Sequence, residues 1–200
     1  MDVLMVRHAH DVRSASGERS LSPRGHAQAS ALARRLSGTR ARELWSSPSE
    51  RARQTGVPLA SALRLPLRCD PRLDEIRNDR GDDPRIPPPR ERTSAVCSKG
   101  VEDWAAFLVR VSSFFGELCA RAHEDRCVVI VTHSGVFDAV HEVLTGAGRR
   151  IELGVDHTGV TAWRHRPGSV AGTWLLRWHN DVGHLCAEAW PEPGIGSGRA

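Results

Sequence analysis

The run Asp2-Val3-Leu4-Met5-Val6-Arg7-His8-Ala9-His10-Asp11 decides how the rest of the chain is read. Val3 to Val6 are apolar without a break, and two of the four are β-branched. A short continuous apolar run of this kind fits a strand buried on both faces, as in a parallel sheet. Polarity then switches at once to Arg7-His8. A cation and an imidazole therefore stand at the carboxyl end of a buried strand, where open α/β sheets bind ligands.

The same pattern returns at Cys127-Val128-Val129-Ile130-Val131-Thr132, which stops at His133-Ser134-Gly135. Two apolar strands each deliver a histidine at the same end. If the strands are neighbours, His8 and His133 face one another across one pocket, and Arg7 predicts that the pocket holds an anion.

Bulk properties narrow the field. The 200 residues suffice for one domain with a full core. The charged fraction of 26% and apolar fraction of 40% are those of an ordinary globular protein. All but one of the 28 basic residues are arginine, the exception being Lys99. They are scattered among acidic residues, and no basic stripe or recognition motif points to nucleic acid. The five cysteines are odd in number and include no Cys-x-x-Cys pair, which argues against a disulfide framework or a zinc site. The N-terminal apolar run is too short for a secretory signal, and no stretch is long enough to span a membrane. The expected location is the cytoplasm, with no membrane partner.

Outward from the first strand, residues 9–20 read as a polar loop. Ser22 is a candidate N-cap with Pro23 at the first helical position, and Ala29, Leu32, Ala33 and Leu36 follow at helical spacing. Glu43 to Ser46 reads as a short strand. A helix begins near Glu50, and Gly56 and Pro58 predict a kink or break in its middle. Leu65 to Cys69 reads as a strand, followed closely by Leu73-Asp74-Glu75. Residues 77–100 carry Pro87-Pro88-Pro89 and several Asp and Gly, the composition of a long functional loop or cap. Arg85, Arg90 and Arg92 on it could meet an anionic substrate. Val101 to Arg121 is an amphipathic helix with Trp104, Leu108, Val111, Phe115 and Leu118 on its apolar face. A helix from about Gly135 to Leu144 and strands at Gly159–Arg164 and Trp174–Trp178 complete the pattern. Residues 191–200 read as a disordered tail, leaving one domain over 1–190. The alternation predicts an α/β fold, a three-layer sandwich with a mostly parallel central sheet and helices on both faces.

Arg7, His8, Arg51, Glu75 and His133 follow strands or begin helices. Arginine forks match phosphate oxygens and keep their charge. A neutral imidazole can attack phosphorus, and a carboxyl group can protonate a departing oxygen. This set fits phosphoryl transfer.

The motifs also resemble a known family. Arg7-His8-Ala9 is similar to the Arg-His-Gly signature of the histidine phosphatase superfamily, which includes the phosphoglycerate mutases. Leu21-Ser22-Pro23-Arg24-Gly25-His26-Ala27-Gln28-Ala29 resembles its Leu-Thr-x-x-Gly-x-x-Gln-Ala helix start. The segment from Ser46 to Thr55 resembles its Ser-x-x-x-x-Arg-Ala-x-x-Thr. Leu73-Asp74-Glu75 resembles its Leu-x-Glu, and Val131 to Gly135 its second-histidine motif. Asn180-Asp181-Val182-Gly183-His184-Leu185 is similar to the Asn-Asp-x-x-His-Leu close of the phosphatase branch.

The resemblance implies a phosphoglycerate mutase-like fold and a phosphatase acting on a small phosphate monoester, with neither metal nor cofactor. It implies His8 as nucleophile, Arg7, Arg51 and His133 as phosphoryl ligands, and Glu75 as proton donor. His10, Ser14 and Ser134 are candidate substrate contacts. The family's usual Arg-His-Gly-Glu reads Arg7-His8-Ala9-His10 here, which removes a carboxylate and adds an imidazole. The short first loop raises an alternative, a protein phosphohistidine phosphatase. The changes at Ala9 and His10 raise another, a phosphate-binding member without turnover or repurposed for other chemistry. The C-terminal tryptophans fit either a core or an edge-to-edge homodimer.

Overall fold

A computed structural model describes residues 1–13, 19–76, 102–123, 126–148, 151–166 and 172–185. In chain order the elements are β1 (Asp2–Arg7), β2 (Asp11–Arg13), β3 (Arg19–Leu21), α1 (Pro23–Leu36), β4 (Glu43–Ser46), α2 (Glu50–Leu63), β5 (Leu67–Cys69), α3 (Trp104–Ala120), β6 (Cys127–Thr132), α4 (Ser134–Thr145), β7 (Val160–Arg166) and β8 (Thr173–Asp181). One sheet has the order β5-β4-β6-β1-β7-β8. Its first four strands are parallel neighbours, whereas β7 runs antiparallel to both β1 and β8.

The period-2 alternation of the central strands builds two cores. Val3, Met5, Val128 and Ile130 point to one face and pack with Phe107, Phe114 and Phe115 of α3 and Val136, Phe137 and Val140 of α4. Leu4, Val6, Val129 and Val131 point to the other face and pack with Leu32 and Leu36 of α1 and Ala52 and Leu59 of α2. This is why the strands read as unbroken apolar runs: neither face meets water. Each such side chain contributes about 1.5–3 kcal/mol on full burial.

These two faces also locate the crevice. After β1 the chain turns to α1 on one face; after β6 it turns to α4 on the other. The neighbouring carboxyl ends of β1 and β6 therefore flank a topological switch point, where parallel sheets leave room for a ligand.

Several sequence expectations change. The stretch 9–20 is not simply a loop, because Asp11–Arg13 and Arg19–Leu21 pair as a two-stranded antiparallel ribbon. The helix beginning at Glu50 does not break at Gly56 or Pro58 and runs through Leu63. Gly56 supplies the reason: a Cβ there would sit 2.7 Å from Leu67 Cδ1, so the glycine lets β5 pack directly on the helix. That contact, with buried Ala52, Thr55 and Leu59, holds a helix that local propensity alone would interrupt. Strands β5, β7 and β8 also differ by a few residues from their predicted ends. Trp178 is exposed on β8, with Leu175 and Leu176, and is not part of the core. Among the described residues no helix is long and apolar enough to cross a membrane. The segment 77–100, the tail 191–200 and Ser14 lie outside the described residues.

Candidate active site

Parallel register brings the two histidines together. Arg7 pairs with Thr132 across β1 and β6, and the His8 N–H donates to the Thr132 carbonyl at 2.8 Å. The ring centroids of His8 and His133 are then 5.1 Å apart. Strand β4 ends beside them, its continuation fixed by Ser47 N–H donating to the Val131 carbonyl at 2.9 Å. It carries the chain into α2, whose first turn presents Arg51.

Hydrogen bonding sets the tautomer of His8. Its Nδ1 lies 2.9 Å from the Ala9 carbonyl, which can only accept, so Nδ1 carries the proton. The lone pair is thus on Nε2, where Arg51 Nε donates at 3.2 Å. Burial and the charges of Arg51 and Arg7 hold the imidazole well below its ordinary pKa, so it is neutral at pH 7. The Ala9 N–H is itself held by Thr55 Oγ1 at 2.9 Å.

His133 is oriented by a chain of polar groups. Arg51 Nη2 donates to its Nδ1 at 3.1 Å. Its Nε2 lies 2.9 Å from Ser47 Oγ, and the Ser47 hydroxyl donates to Asp74 Oδ1. Ser49 Oγ lies 3.2 Å from the same nitrogen. Complete burial, with His8 and Arg51 nearby, lowers the His133 pKa far below its usual value.

Arg7 is anchored by Nη1 donating to the Val155 carbonyl at 2.5 Å. Its Nε is buried and has no hydrogen-bond partner among the described residues. Asp11 is buried and takes Arg19 Nε at 2.6 Å and Arg51 Nε at 3.8 Å, linking the β2–β3 ribbon to the pocket. Arg53, the neighbour with which Arg51 could be confused, instead lies outside on Glu50 at 3.6 Å.

Glu75 sits at the N-terminus of α4, against the free N–H groups of its first turn. Its Oε2 accepts from Gly135 N–H at 3.2 Å and its Oε1 from Ile76 N–H at 3.0 Å. A Cβ at position 135 would lie 2.2 Å from Oε1, so glycine is what allows this approach. The turn carrying Asp74 and Glu75 is held from α3. Arg110 Nη1 donates to the carbonyls of Pro71, Arg72 and Asp74 at 3.0–3.1 Å, and Nη2 to that of Glu75 at 3.3 Å. Glu102 pairs with the same guanidinium at 2.6 Å.

Of the other expected contacts, His10 is half-buried with Nδ1 2.8 Å from Ser22 Oγ. Ser134 opens α4 beside His133 and makes no side-chain hydrogen bond among the described residues. His157 was not singled out as a site residue, yet its ring centroid is 5.5 Å from that of His8. The signal was its place in a loop near a strand end. Arg19 and Asp11 gave no such signal because they meet only when β2 and β3 pair, and Ser47 and Arg110 gave none because they hold Asp74 and the Glu75 turn from remote parts of the chain. His184 serves the scaffold: its Nε2 lies 2.9 Å from Thr158 Oγ1.

The ligating atoms of His8, Asp11 and His157 fall within 4.8 Å of one another. Arg19 already occupies the Asp11 carboxylate, and Arg7 and Arg51 add positive charge, so this grouping is poorly suited to a divalent cation.

The chain belongs to the histidine phosphatase superfamily (branch 1), whose family model matches residues 3–181. The fold is shared with the native structure of a mycobacterial glucosyl-3-phosphoglycerate phosphatase, at a TM-score of 0.72 and 27% identity over 90% of this chain and 98% of that one. The VO3 complex of that phosphatase aligns at 0.73 and 25%, over 90% and 99%. A putative alpha-ribazole-5'-P phosphatase from Escherichia coli has the same fold at 0.73 and 22%, over 90% and 96%. No curated protein sequence matches the chain.

Proposed function

We propose that this chain hydrolyses a small-molecule phosphate monoester through a phosphohistidine on His8, without a metal ion. The observation that carries the reading is the His8 ring: neutral, with Nδ1–H fixed on the Ala9 carbonyl and the Nε2 lone pair facing Arg51 and His133.

The reaction follows from these positions. A phosphoryl dianion displaces the Arg51–His8 hydrogen bond and takes the donors of Arg7 and Arg51. His133, whose Nδ1 is freed when Arg51 Nη2 turns to the phosphoryl group, takes up a proton there beside the dianion and donates it to another equatorial oxygen. Nε2 forms the N–P bond as the ester P–O bond breaks. The electron pair leaves with the alcohol oxygen, which takes a proton from Glu75, whose carboxylate collects that proton from the monoester monoanion as the ester settles in the pocket as its dianion. Water then attacks phosphorus, returning a proton to Glu75, and the N–P bond breaks. Orthophosphate and neutral His8 are released. Arg7, Arg51 and the α4 N-terminus supply the fixed positive field for the spreading charge. Being preorganised, they need not rearrange as charge develops.

The test is phosphate release from p-nitrophenyl phosphate and a panel of alkyl monoesters with EDTA present. EDTA-resistant hydrolysis, lost in His8→Ala, is expected. Hydrolysis abolished by EDTA, or retained by His8→Ala, overturns the reading.

A further inference from the structure

The closing stretch Asn180-Asp181-Val182-Gly183-His184-Leu185 takes no part in the phosphoryl chemistry, yet two of its side chains reach one turn beside the pocket, residues 154–159.

That turn grips Arg7 at three points. Arg7 N–H donates to the Gly159 carbonyl at 3.3 Å, and Thr158 N–H donates to the Arg7 carbonyl at 3.0 Å. The guanidinium donates through Nη1 to the Val155 carbonyl at 2.5 Å. Two bonds fix the Arg7 backbone and the third fixes its fork. The position of the turn therefore decides where the remaining Arg7 donors point.

The turn does not keep this shape by local preference. Thr158 is β-branched and fully buried, yet has φ 61°, in the left-handed region. Such a residue persists only where its surroundings hold it. The end of the chain supplies the hold at alternate residues of the turn. His179 Nε2 donates to the Gly154 carbonyl at 3.0 Å. Asn180 Oδ1 accepts from Asp156 N–H at 2.9 Å, and its Nδ2 donates to the Asp156 carboxylate at 2.8 Å. The Thr158 hydroxyl gives its proton to the His157 carbonyl at 2.6 Å, so His184 Nε2, 2.9 Å from Thr158 Oγ1, is the donor in that pair. A Cβ on Gly159 would lie 2.1 Å from Asn180 Oδ1, so glycine permits the approach.

A bulge in β8 lets neighbouring side chains do this. Val160 pairs with Asp181 and Ala162 with Trp178, which sets both His179 and Asn180 opposite Thr161. The Thr161 hydroxyl lies 2.9 Å from His179 Nδ1 and accepts from Asn180 N–H at 3.3 Å.

We propose that Asn180 and His184 are positioning residues of the phosphoryl site, acting through the 154–159 turn on Arg7. The inference rests on Arg7 meeting the phosphoryl group. Its particular consequence is that the closing stretch affects oxyanion binding only while Arg7 is present.

Calorimetric titration with orthovanadate, a phosphate mimic that needs no turnover, tests this beside a melting curve for each variant. Arg7→Met should bind at least about tenfold more weakly than the wild type, and Asn180→Ala about tenfold more weakly. In the Arg7→Met background, Asn180→Ala should cost less than about twofold more, whereas a general loosening of the fold would weaken binding in both backgrounds. His184→Ala should also weaken binding, and His184→Gln, whose amide can still donate to Thr158 Oγ1, should restore it. That pair carries the test if Asn180→Ala does not fold. Wild-type affinity in both Asn180→Ala and His184→Ala, or equal losses with and without Arg7, overturns the positioning role and leaves the hydrolytic reading standing. Wild-type affinity in Arg7→Met removes Arg7 from the phosphoryl site and overturns the inference with it.

Discussion

Arg51 bridges the two buried histidines, giving Nε to His8 Nε2 at 3.2 Å and Nη2 to His133 Nδ1 at 3.1 Å. Its donors occupy the two ring nitrogens, so a phosphoryl group must take their place. Arg51→Lys keeps the charge but cannot span both rings, because an ammonium lacks the planar fork. We expect kcat/KM on an alkyl monoester to fall by about 100-fold, with the thermal midpoint little changed. Steady-state kinetics beside a melting curve check this.

Glu75 is expected to matter most when the leaving group is poor. p-Nitrophenolate departs without a proton, whereas an alkoxide needs one. Glu75→Gln should reduce kcat on alkyl esters by about 100–10,000-fold and on p-nitrophenyl phosphate by much less. Equal losses on the two ester types would remove Glu75 from the role of acid. Gly135→Ala should reproduce the same selective loss in milder form, because its Cβ would sit against the Glu75 carboxylate.

Arg110 holds four backbone carbonyls on the turn that carries Asp74 and Glu75. Replacing it with Met strips those carbonyls of their donor in a partly buried site. The expected cost is about 2–4 kcal/mol in stability, read as a lower urea midpoint. The alkyl-ester reaction should lose more activity than the aryl-ester reaction, since the Glu75 turn loosens.

The buried imidazoles make stability fall on the acid side. His8 and His133 have pKa values below those of the unfolded chain. The unfolded state therefore binds protons that the folded state refuses, beginning as pH drops through about 6.5. Each such histidine costs about 1.4 kcal/mol per pH unit from there down to its folded pKa. Asp2, Asp11 and Asp70, whose pKa values are lowered in the fold, add losses only below about pH 4. Urea midpoints at pH 7.5 and 5.0 should differ accordingly, and His8→Gln should narrow the gap. A midpoint unchanged between those two pH values would contradict neutral burial of the pair.

Ser47 lies between His133 and the Asp74 carboxylate. Ser47→Ala should cut kcat by about tenfold with little effect on the fold. It should also flatten the difference between wild type and Asp74→Asn. A double-mutant cycle on these two positions reads their coupling.

Much of this was legible along the chain because it is local. A short apolar run without alternation, rich in β-branched residues and ended by a sharp polar switch, fits a strand covered on both faces, and Val3–Val6 and Val128–Val131 are such runs. The polar residues at their ends, Arg7-His8 and His133, fall at the ligand side for the same reason. Ser22 and Pro23 announced α1 through cap chemistry that needs no distant partner. What tertiary structure decided is everything that depends on contact across the chain. Gly56 and Pro58 read as a break, but Leu67 packing on Gly56 kept α2 whole. The pairing of Arg7 with Thr132, which sets the distance between His8 and His133, is a register and not a motif. His157 reads only as a loop residue near a strand end, and the clamps that Asn180 and His184 place on its neighbours Asp156 and Thr158 bring its ring beside His8. Local patterns carry secondary structure because its hydrogen bonds close within a few residues. The site is assembled from ends of strands that meet only once the sheet forms.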